Sequence, residues 1–325
     1  MSQEALGQSS PPSSTSTAGA AHALTELGSL RQKKARSLWS NAWRQFRKHR
    51  LAMAGMVTLG ILVLMSVFGP GLWGKSGTAI DFGIAIKGPS LSHPMGTDDL
   101  GRDIFARVLW GGRISLAVGV VAMLVAITLG ALIGAMAGFF GGVIDSTLMR
   151  ITDMFISLPD LPLLLLTIYL FRDKLRAQFG PTLGIFLLIV FLIGILNWMP
   201  VARLVRASFL SLKEKEFTEA ARCIGASRSS IIFRHIMPNV LGPVIVAATL
   251  AVGSSIITES ALSFLGLGFP PDVPTWGRLL YDSINFMELA PWMVIFPALM
   301  IFLAVLSINY VGDGLRDALD PRKTG

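Results

Sequence analysis

The stretch Ile114–Phe140, ISLAVGVVAMLVAITLGALIGAMAGFF, decides the fold class because it contains no charged residue. An apolar helix of about 20 residues crosses the roughly 30 Å of hydrocarbon in a bilayer and satisfies its own backbone hydrogen bonds. Further apolar runs of this kind are Leu51–Phe68, Met154–Phe171, Leu183–Val201, Val240–Ser263 and Ala290–Val311. The sequence therefore predicts an all-α membrane protein with six transmembrane helices, although Asp160 lies inside the third.

The composition agrees with a membrane protein and excludes several kinds of site. Hydrophobic residues make up 52% of the chain and charged residues 15%, whereas about a quarter of the residues in a soluble domain are charged. Cys223 is the one cysteine, so an internal disulfide is excluded. The histidines are scattered, and no nucleophile elbow or pair of carboxylates stands out. We therefore expect no metal site and no catalytic site in this chain.

The basic residues indicate how the chain sits in the membrane. Six spans place both ends on one side, and the segments on that side hold 19 of the 28 Lys and Arg residues. The other nine, which include Arg172, Lys174 and Arg176, lie on the opposite side. The positive-inside rule then predicts that both termini are cytoplasmic. The net charge of +8 lies largely beside the spans, which favours lipid headgroups over a nucleic acid partner.

The N-terminal region has two parts. Residues 1–35 are rich in Ser, Thr, Ala and Pro without apolar periodicity, which predicts a disordered cytoplasmic tail. Residues 36–50 carry Trp39, Trp43 and Phe46 at helical spacing among basic side chains. This pattern predicts an interfacial helix with its aromatic rings toward lipid. A basic nucleic-acid patch is the alternative, and the membrane span that follows directly disfavours it.

The segment between the fourth and fifth runs contains signals for two short helices joined by a turn. Ser211 and Glu214 fit a capping box that opens the first helix. Gly225 permits the left-handed turn that ends it. Ser227 is a cap for a second helix, which leads toward Pro238 and the fifth span. We predict a helix–Gly–helix element that lies across the membrane face.

Within this element, Glu219-Ala220-Ala221 is followed after three residues by Gly225 and later by Ile236-Met237-Pro238. These residues resemble the EAA loop of bacterial ABC importer permeases. The family pattern has Ile and Leu two residues apart before the Pro, where this chain has His235 and Met237. From physics alone, an ordinary loop folded on itself is about as well supported. The resemblance implies a coupling helix that docks on a separate ATPase subunit, formed by Glu219, Ala220, Ala221, Gly225 and Pro238.

Further segments resemble the dipeptide, oligopeptide and nickel permeases of this family. They are His93–Asp103 with Gly112–Leu116, Leu262–Pro270 with Trp276-Gly277, and Gly312–Pro321. Together with the EAA loop they form four ordered motifs, so the resemblance is specific and covers roughly residues 39–321. It implies a type I ABC importer permease-like fold in the bacterial cytoplasmic membrane. Peptides are the first expectation for the substrate, with nickel complexes left open.

The resemblance also implies partners and domain boundaries. It implies a second homologous permease subunit, two cytoplasmic ATPase subunits or domains, and an external solute-binding protein. ATP and Mg would bind the ATPase subunits, so this chain needs no cofactor and is not itself an enzyme. The permease domain would then span residues 51–311, with an outer loop 69–113, a cytoplasmic coupling loop 202–238 and a cytoplasmic C-terminal tail 312–325.

One match to a nucleotide-binding motif is rejected on its context. Gly69–Ser76 satisfies the P-loop pattern, but a membrane span precedes it where the motif needs a strand. Pro70 also removes one of the amides that would cradle a phosphate. The predicted topology places this segment on the outer side, away from cytoplasmic ATP. The motor must therefore be a partner protein.

Small and acidic residues mark two further features of the spans. Gly130, Gly134 and Gly138 form a small-residue ridge, which favours close helix packing over pore lining. Asp160 and Glu259 are carboxylates at or near membrane depth, and both are candidates for the translocation path. The alternative is that each lies near a span end and reaches water. That alternative is stronger for Glu259, so Asp160 is the better candidate.

Two other functions compete with import by a permease. An ion-coupled secondary carrier would show inverted repeats and broken midspan helices, and we find no convincing repeat between the two halves. An intramembrane enzyme would need catalytic groups that face one another at depth, and none are evident. We therefore predict the permease subunit of an ABC importer that moves di- or oligopeptides by alternating access. The secondary carrier is the alternative.

Overall fold

A computed structural model of the chain describes the backbone of residues 38–319 and the side chains of residues 42–319. Close contacts divide the chain into residues 1–41 and residues 42–325, and every contact below lies within the second unit. The described part is almost entirely helical. Its longer helices are α1 (Leu38–Lys48), α2 (Arg50–Trp73), α3 (Ile104–Phe140), α4 (Gly142–Ile156), α5 (Asp160–Phe179), α6 (Pro181–Lys213), α7 (Glu216–Cys223), α8 (Arg228–Phe264), α9 (Trp276–Ser283) and α10 (Trp292–Leu319).

The membrane spans confirm the predicted fold class and correct its third span. Five helices of the described part are long and apolar enough to cross a bilayer, namely α2, α3, α6, α8 and α10. A sixth crossing is possible only as a broken span, because α4 and α5 meet at a bend of 82°. The prediction of one straight helix over Met154–Phe171 is therefore wrong. Pro159 explains the break, since the residue before a proline disfavours helical backbone.

The bundle has two ends, which we call the α7 face and the α9 face. At the α9 face the indole nitrogen of Trp276 donates to the Val108 carbonyl near the start of α3, over 3.0 Å. At the α7 face the end of α3 meets the end of α6, where Gly138 lies against Phe209. The connections between spans therefore gather at opposite ends of the bundle.

The packing of α3 against α6 confirms the predicted glycine ridge. A Cβ atom added to Gly134 would come within 2.4 Å of the Ala202 carbonyl oxygen. At Gly130 it would lie 2.6 Å from the Val201 Cβ. Real Cβ atoms do not approach so closely, so the two backbones touch only because these residues have no side chain. In lipid, such close van der Waals contact is a main source of helix association.

Several predicted boundaries move because helices run further than the apolar runs. α2 continues to Trp73 and α3 begins at Ile104, so the connection at the α9 face is residues 74–103 rather than 69–113. α10 extends to Leu319, so most of the predicted tail 312–325 is helical. The predicted tail 1–35 lies outside the described residues.

The predicted capping box is also wrong. Ser211 lies inside α6 and Glu214 follows its last residue, so neither side chain opens a helix. Instead α7 begins after Lys215, whose side chain makes no capping bond. Leu212, which follows Ser211, packs against the apolar cluster that contains the buried Phe209, and this packing favours continuation of the helix past the capping signal.

A helix is present in the segment predicted to be interfacial, but one of its aromatic rings faces the protein. α1 ends at Lys48, and His49 caps α2 by accepting a hydrogen bond from the Ala52 amide over 3.1 Å. Trp43 is exposed, as expected for a ring near lipid, whereas Phe46 is buried. Phe46 packs against Gly314 of α10, where a Cβ would lie 2.9 Å from its ring.

Candidate functional site

The helix α7 and the turn after it form the most regular element outside the spans. The Gly225 amide donates to the Arg222 carbonyl and the Ala226 amide to the Ala221 carbonyl, each over 3.0 Å. This pair of bonds is the Schellman motif that ends a helix. Gly225 has φ of +78°, the left-handed conformation that the motif needs, and no atom outside its neighbours lies within 4 Å of an added Cβ. The predicted turn is therefore present. Glycine is favoured at this position by its left-handed backbone conformation and not by a lack of space for a side chain.

One side of α7 is fixed to the bundle. The Thr218 hydroxyl donates to the Leu212 carbonyl over 2.9 Å, and its side chain is fully buried. Ala221 is buried in an apolar cluster with Phe209 and Ile236. These contacts attach α7 to both α6 and α8.

The other side of α7 exposes two large apolar side chains beside the carboxylates of Glu216 and Glu219. Phe217 is 41% exposed and Ile224 83% exposed, and Ala220 between them is also exposed. These residues are spaced by three and four, so they share one helical face. Glu219 is exposed beside them. We call Phe217, Glu219, Ala220 and Ile224 the α7 surface.

The remaining predicted coupling residue lies on the way back into the membrane. Ser227 caps the following helix by accepting from the Ser230 amide over 3.3 Å, as predicted. The stretch Ile231–Ile236 is a π-helical turn, and Pro238 follows it with its side chain exposed. π-Helical turns are rare and occur often at functional sites. Glu219, Ala220 and Gly225 are therefore exposed together, Ala221 is part of their support, and Pro238 lies beyond the π-helical turn.

The broken span is held to α6 at the α7 face by ion pairs. Asp145 of α4 accepts two hydrogen bonds from the Arg206 guanidinium, one of them over 2.7 Å. Asp153 of α4 pairs with Arg203 over 2.5 Å. The Arg206 pair is the more significant, because two parallel bonds fix its geometry, whereas Arg203 and Asp153 are both largely exposed.

The α9 face contains a buried network of charges. Asp98 accepts from Arg102 Nε over 2.7 Å and from Arg107 Nη1 over 3.3 Å. Arg107 is 1% exposed and donates from Nη2 to Asp282 over 2.9 Å. Arg278 donates to the other oxygen of Asp282, also over 2.9 Å. The network joins residues 98–107 to α9, and charges buried in this way are costly to expose singly.

Asp99, the neighbour of Asp98, has a different environment. Partial burial raises the pKa of the Asp99 carboxyl above its ordinary value of 3.8, and the negative charge of Asp98 adds to the effect. Asp99 lines a cavity of about 600 Å³ together with Arg102, Arg278 and Tyr281. Sequence reasoning missed both the network and the cavity. The available signal was Arg107, a cation close to an apolar run.

The rejected P-loop match has no resemblance to a phosphate site. The first part of Gly69–Ser76 is the last turn of α2, which ends at Trp73. Lys75 lies 3.6 Å from Asp103, a carboxylate that also caps α3 and contacts His93. This lysine is already paired with a buried carboxylate. It also lies at the C-terminal end of a helix, where the partial negative charge disfavours an anion.

The two candidate carboxylates of the translocation path lie in environments opposite to those expected, because Glu259 is buried and Asp160 is exposed. Glu259 is fully buried, so the alternative that it reaches water is wrong. It accepts from the Ser263 hydroxyl over 2.8 Å and from the Ser115 hydroxyl over 3.1 Å. Ser115 in turn accepts from the Trp276 amide over 3.2 Å. Glu259 therefore joins α8, α3 and α9 rather than facing an open path.

Asp160 is exposed and lies at the first position of α5, directly after the break. A carboxylate is favourable there, because the unpaired amides of a helix N-terminus carry partial positive charge. The structure does not bring Asp160 and Glu259 together. No group of three or more His, Cys, Asp or Glu side chains suited to a metal ion occurs in the described part of the chain.

Comparisons with known proteins agree with this architecture. Residues 126–325 match the family described as binding-protein-dependent transport system inner membrane component. Residues 37–96 match the N-terminal TM domain of oligopeptide transport permease C. Both families describe membrane parts of transport systems, and together they cover most of the chain.

Individual relatives match over nearly their full length. The dipeptide transport system permease protein DppC of Alkalihalophilus pseudofirmus is 41% identical, over 90% of this chain and 92% of its own. The oligopeptide transport system permease protein OppC of Escherichia coli is 43% identical, over 88% and 92%. A solved structure of the MetNI methionine ABC transporter in inward-facing conformations covers 66% of this chain and 96% of its own, with 18% identity and a TM-score of 0.49.

The family match spans more than half of the chain, and the relatives exceed 40% identity over almost all of it. The chain therefore belongs to the family of binding-protein-dependent transport system inner membrane components, as a permease subunit of an ABC importer.

Proposed function

We propose that this chain is the permease subunit of a peptide importer and that the α7 surface docks on an ATPase subunit. The observation that carries the proposal is the construction of α7. One side is tied to α6 and α8 by Thr218 and Ala221, and the other exposes Phe217 and Ile224 to a partner. An exposed apolar patch rimmed by polar side chains, here Glu216 and Glu219, is typical of a protein interaction site.

The family assignment supports peptides as the substrate class. DppC is a dipeptide permease and OppC an oligopeptide permease by name, and this chain is about equally similar to both. The predicted alternative of an ion-coupled secondary carrier has no support among these relatives. ATP hydrolysis belongs to separate ATPase subunits in such importers, so this chain is not itself an enzyme.

The assembly we propose contains a second homologous permease subunit, two ATPase subunits that bind ATP and Mg, and an external solute-binding protein. The α7 face would lie in the cytoplasm, with both chain termini on that side of the bacterial cytoplasmic membrane. The excess of Lys and Arg in the segments of that side supports this orientation. Asp160 is exposed, and it stays a proposed contact of the path.

The mechanism we propose is transmission of motor closure through α7. When ATP binding closes the two ATPase subunits, a helix docked on one of them is displaced with it. α7 is tied to α6 through Thr218 and to α8 through the turn at Gly225 and the π-helical turn Ile231–Ile236. Displacement of α7 therefore changes the relative position of two spans, which is what alternating access requires.

Charge reversal at Glu219 tests the docking surface. In Glu219→Arg we expect recovery of the ATPase subunits with the permease to fall at least about tenfold. A cationic group of the ATPase subunit that faces Glu219 would be repelled by the new arginine. The measurement is the amount of ATPase subunit that copurifies with the tagged permease, together with ATP-dependent peptide uptake.

Glu288→Arg is the matched control, since Glu288 is also exposed but lies at the α9 face. It makes the same charge change and should leave copurification of the ATPase subunits unchanged. Full copurification and full uptake in Glu219→Arg would show that α7 is not the docking surface.

A further inference from the structure

The helix α8 has one face that the described chain leaves uncovered. Pro243, Leu250, Ser254 and Ile257 are exposed and are separated by seven, four and three residues, so they lie on one side of the helix. The opposite side is buried against the rest of the bundle, for example at Ile256. The uncovered face therefore runs along most of the span.

A polar pair lies on this face. The Ser254 hydroxyl donates to the Asn197 side-chain oxygen over 3.4 Å, which joins α8 to α6. The Asn197 amide nitrogen donates to the Ile193 carbonyl over 2.8 Å. Because a carbonyl can only accept, the nitrogen must face Ile193 and the oxygen must face Ser254. One amide hydrogen of Asn197 and the lone pairs of the Ser254 hydroxyl have no partner among the described side chains.

The pair lies deep in the membrane. Ser254 is ten residues from Phe264, the last residue of α8, which is roughly 15 Å at 1.5 Å per residue. Half the thickness of the hydrocarbon core is also about 15 Å. Polar side chains at this depth are costly against lipid and usually face the bundle interior or a water-filled cavity.

A cavity leads from the α7 face toward the pair. Its volume is about 520 Å³, and its lining includes Pro243 and Leu250 from the uncovered face of α8. Leu250 is one turn from Ser254. Leu204 of α6, Asn239 of α8 and Arg316 of α10 line the end nearer the α7 face. The cavity and the polar pair are therefore successive parts of one surface.

We propose that this surface lines the translocation path and that Asn197 and Ser254 hydrogen-bond the backbone amides of the passing peptide. The inference rests on the proposed import of peptides and adds the site of contact. An amide and a hydroxyl each donate and accept, as a peptide bond does. Residues 243–257 of α8 contain no charged side chain, so the contacts offered by this described face are to the peptide backbone rather than to charged substrate side chains. A permease that accepts peptides of varied sequence needs contacts of this kind.

Cysteine accessibility tests the proposal in the assembled transporter, reconstituted with its ATPase subunits in lipid nanodiscs. A cationic methanethiosulfonate reagent reacts with the thiolate, which forms in water and not in lipid. We expect Ser254→Cys and Asn197→Cys to react at least tenfold faster than Leu64→Cys. Leu64 is the matched control because it is 57% exposed on α2 and lies nine residues from the end of that span. Mass spectrometry of the labelled segment separates each site from Cys223.

Transport is measured in parallel, with trialanine and a mixture of tri- to pentapeptides as probes. Asn197→Ala should raise the KM for trialanine uptake about threefold to tenfold, the effect of one lost neutral hydrogen bond. Equal labelling of Ser254→Cys and Leu64→Cys in a complex that imports peptides would overturn the path assignment alone and indicate a face covered by lipid. Absence of peptide uptake by the unmodified complex would instead overturn the proposed function.

Discussion

At the scale of single residues, Asp98 and Asp99 show how two adjacent carboxylates acquire opposite roles. Asp98 is buried and receives hydrogen bonds from Arg102 and Arg107 as well as from the Arg102 amide. Asp99 is half-buried, and the charge of Asp98 acts against its ionisation. The sequence shows only two acidic neighbours in a loop. Which of them is buried depends on the fold around Arg107.

Replacement of each aspartate by asparagine should change the stability of the permease in opposite directions. Asp98→Asn should destabilise the permease by about 3 kcal/mol or more, because Arg107 and Arg102 would lose a buried anion. Asp99→Asn should stabilise it at pH 7. Since the folded-state pKa of Asp99 is raised, the folded protein binds more protons than the unfolded chain at pH values just above 3.8. Ionisation then costs stability as pH rises through that window.

Thermal unfolding of the purified transporter in detergent, recorded from pH 4 to pH 8, checks both substitutions. The gain from Asp99→Asn should be largest at pH 7 and shrink toward the acid end of the range, because the raised pKa lets the folded protein protonate this carboxyl before the unfolded chain does. A gain that is the same at every pH would contradict the assigned environment of Asp99. A neutral effect of Asp98→Asn would contradict the charge network.

At the scale of elements, the sequence predicts the spans well and their connections poorly. Apolar runs locate the spans because a segment in hydrocarbon must satisfy its own backbone hydrogen bonds, which an α-helix does. The capping signal at Ser211 fails because α6 continues to Lys213 and packs Leu212 against the buried cluster around Phe209. The Gly225 turn is predicted correctly, because a left-handed residue at a helix end is a local requirement.

The buried environment of Glu259 is invisible in the sequence for a different reason. Its partners Ser115 and Trp276 are far from it along the chain, and no local pattern connects them. The α7 surface is partly predictable. Its residues lie close together in the sequence and could be singled out, whereas the anchoring contact of Thr218 could be found only from the fold. Residues whose surroundings are local are thus predictable, and those that join distant helices are not.

Substitution at Gly134 tests the contact between α3 and α6. Gly134→Ala should destabilise the permease by roughly 1–3 kcal/mol, because the new Cβ would meet the Ala202 carbonyl and the helices must separate. The control is Gly60→Ala in α2, where no atom lies within 4 Å of an added Cβ. That variant should be neutral or stabilised by up to about 1 kcal/mol, since glycine disfavours helix. Thermal unfolding in detergent measures both, and equal effects would contradict the close packing.

At the scale of the whole molecule, the two faces are built for different tasks. The α7 face exposes an apolar surface on a helix that is fixed to two spans. The α9 face instead locks its connections to the spans through Asp98, Arg107 and Glu259. In the proposed mechanism, force enters at the α7 face. The buried polar bonds at the α9 face would then supply the rigidity that keeps that end of the spans together.

Glu259 is the residue where this rigidity is most directly testable, because it joins α8 to α3 and, through Ser115, to α9. Glu259→Leu should lower the unfolding temperature of the transporter by about 4–8 °C, since the buried Ser115 and Ser263 hydroxyls lose their acceptor. Glu259→Gln should cost much less, because an amide can accept from one serine and donate to the other. If both variants unfolded like the unmodified protein, Glu259 would not hold the α9 face together. If both variants had equally lowered unfolding temperatures, the negative charge of Glu259 rather than its hydrogen bonds would be required. Glu259→Asp, which keeps the charge, should then still import peptides.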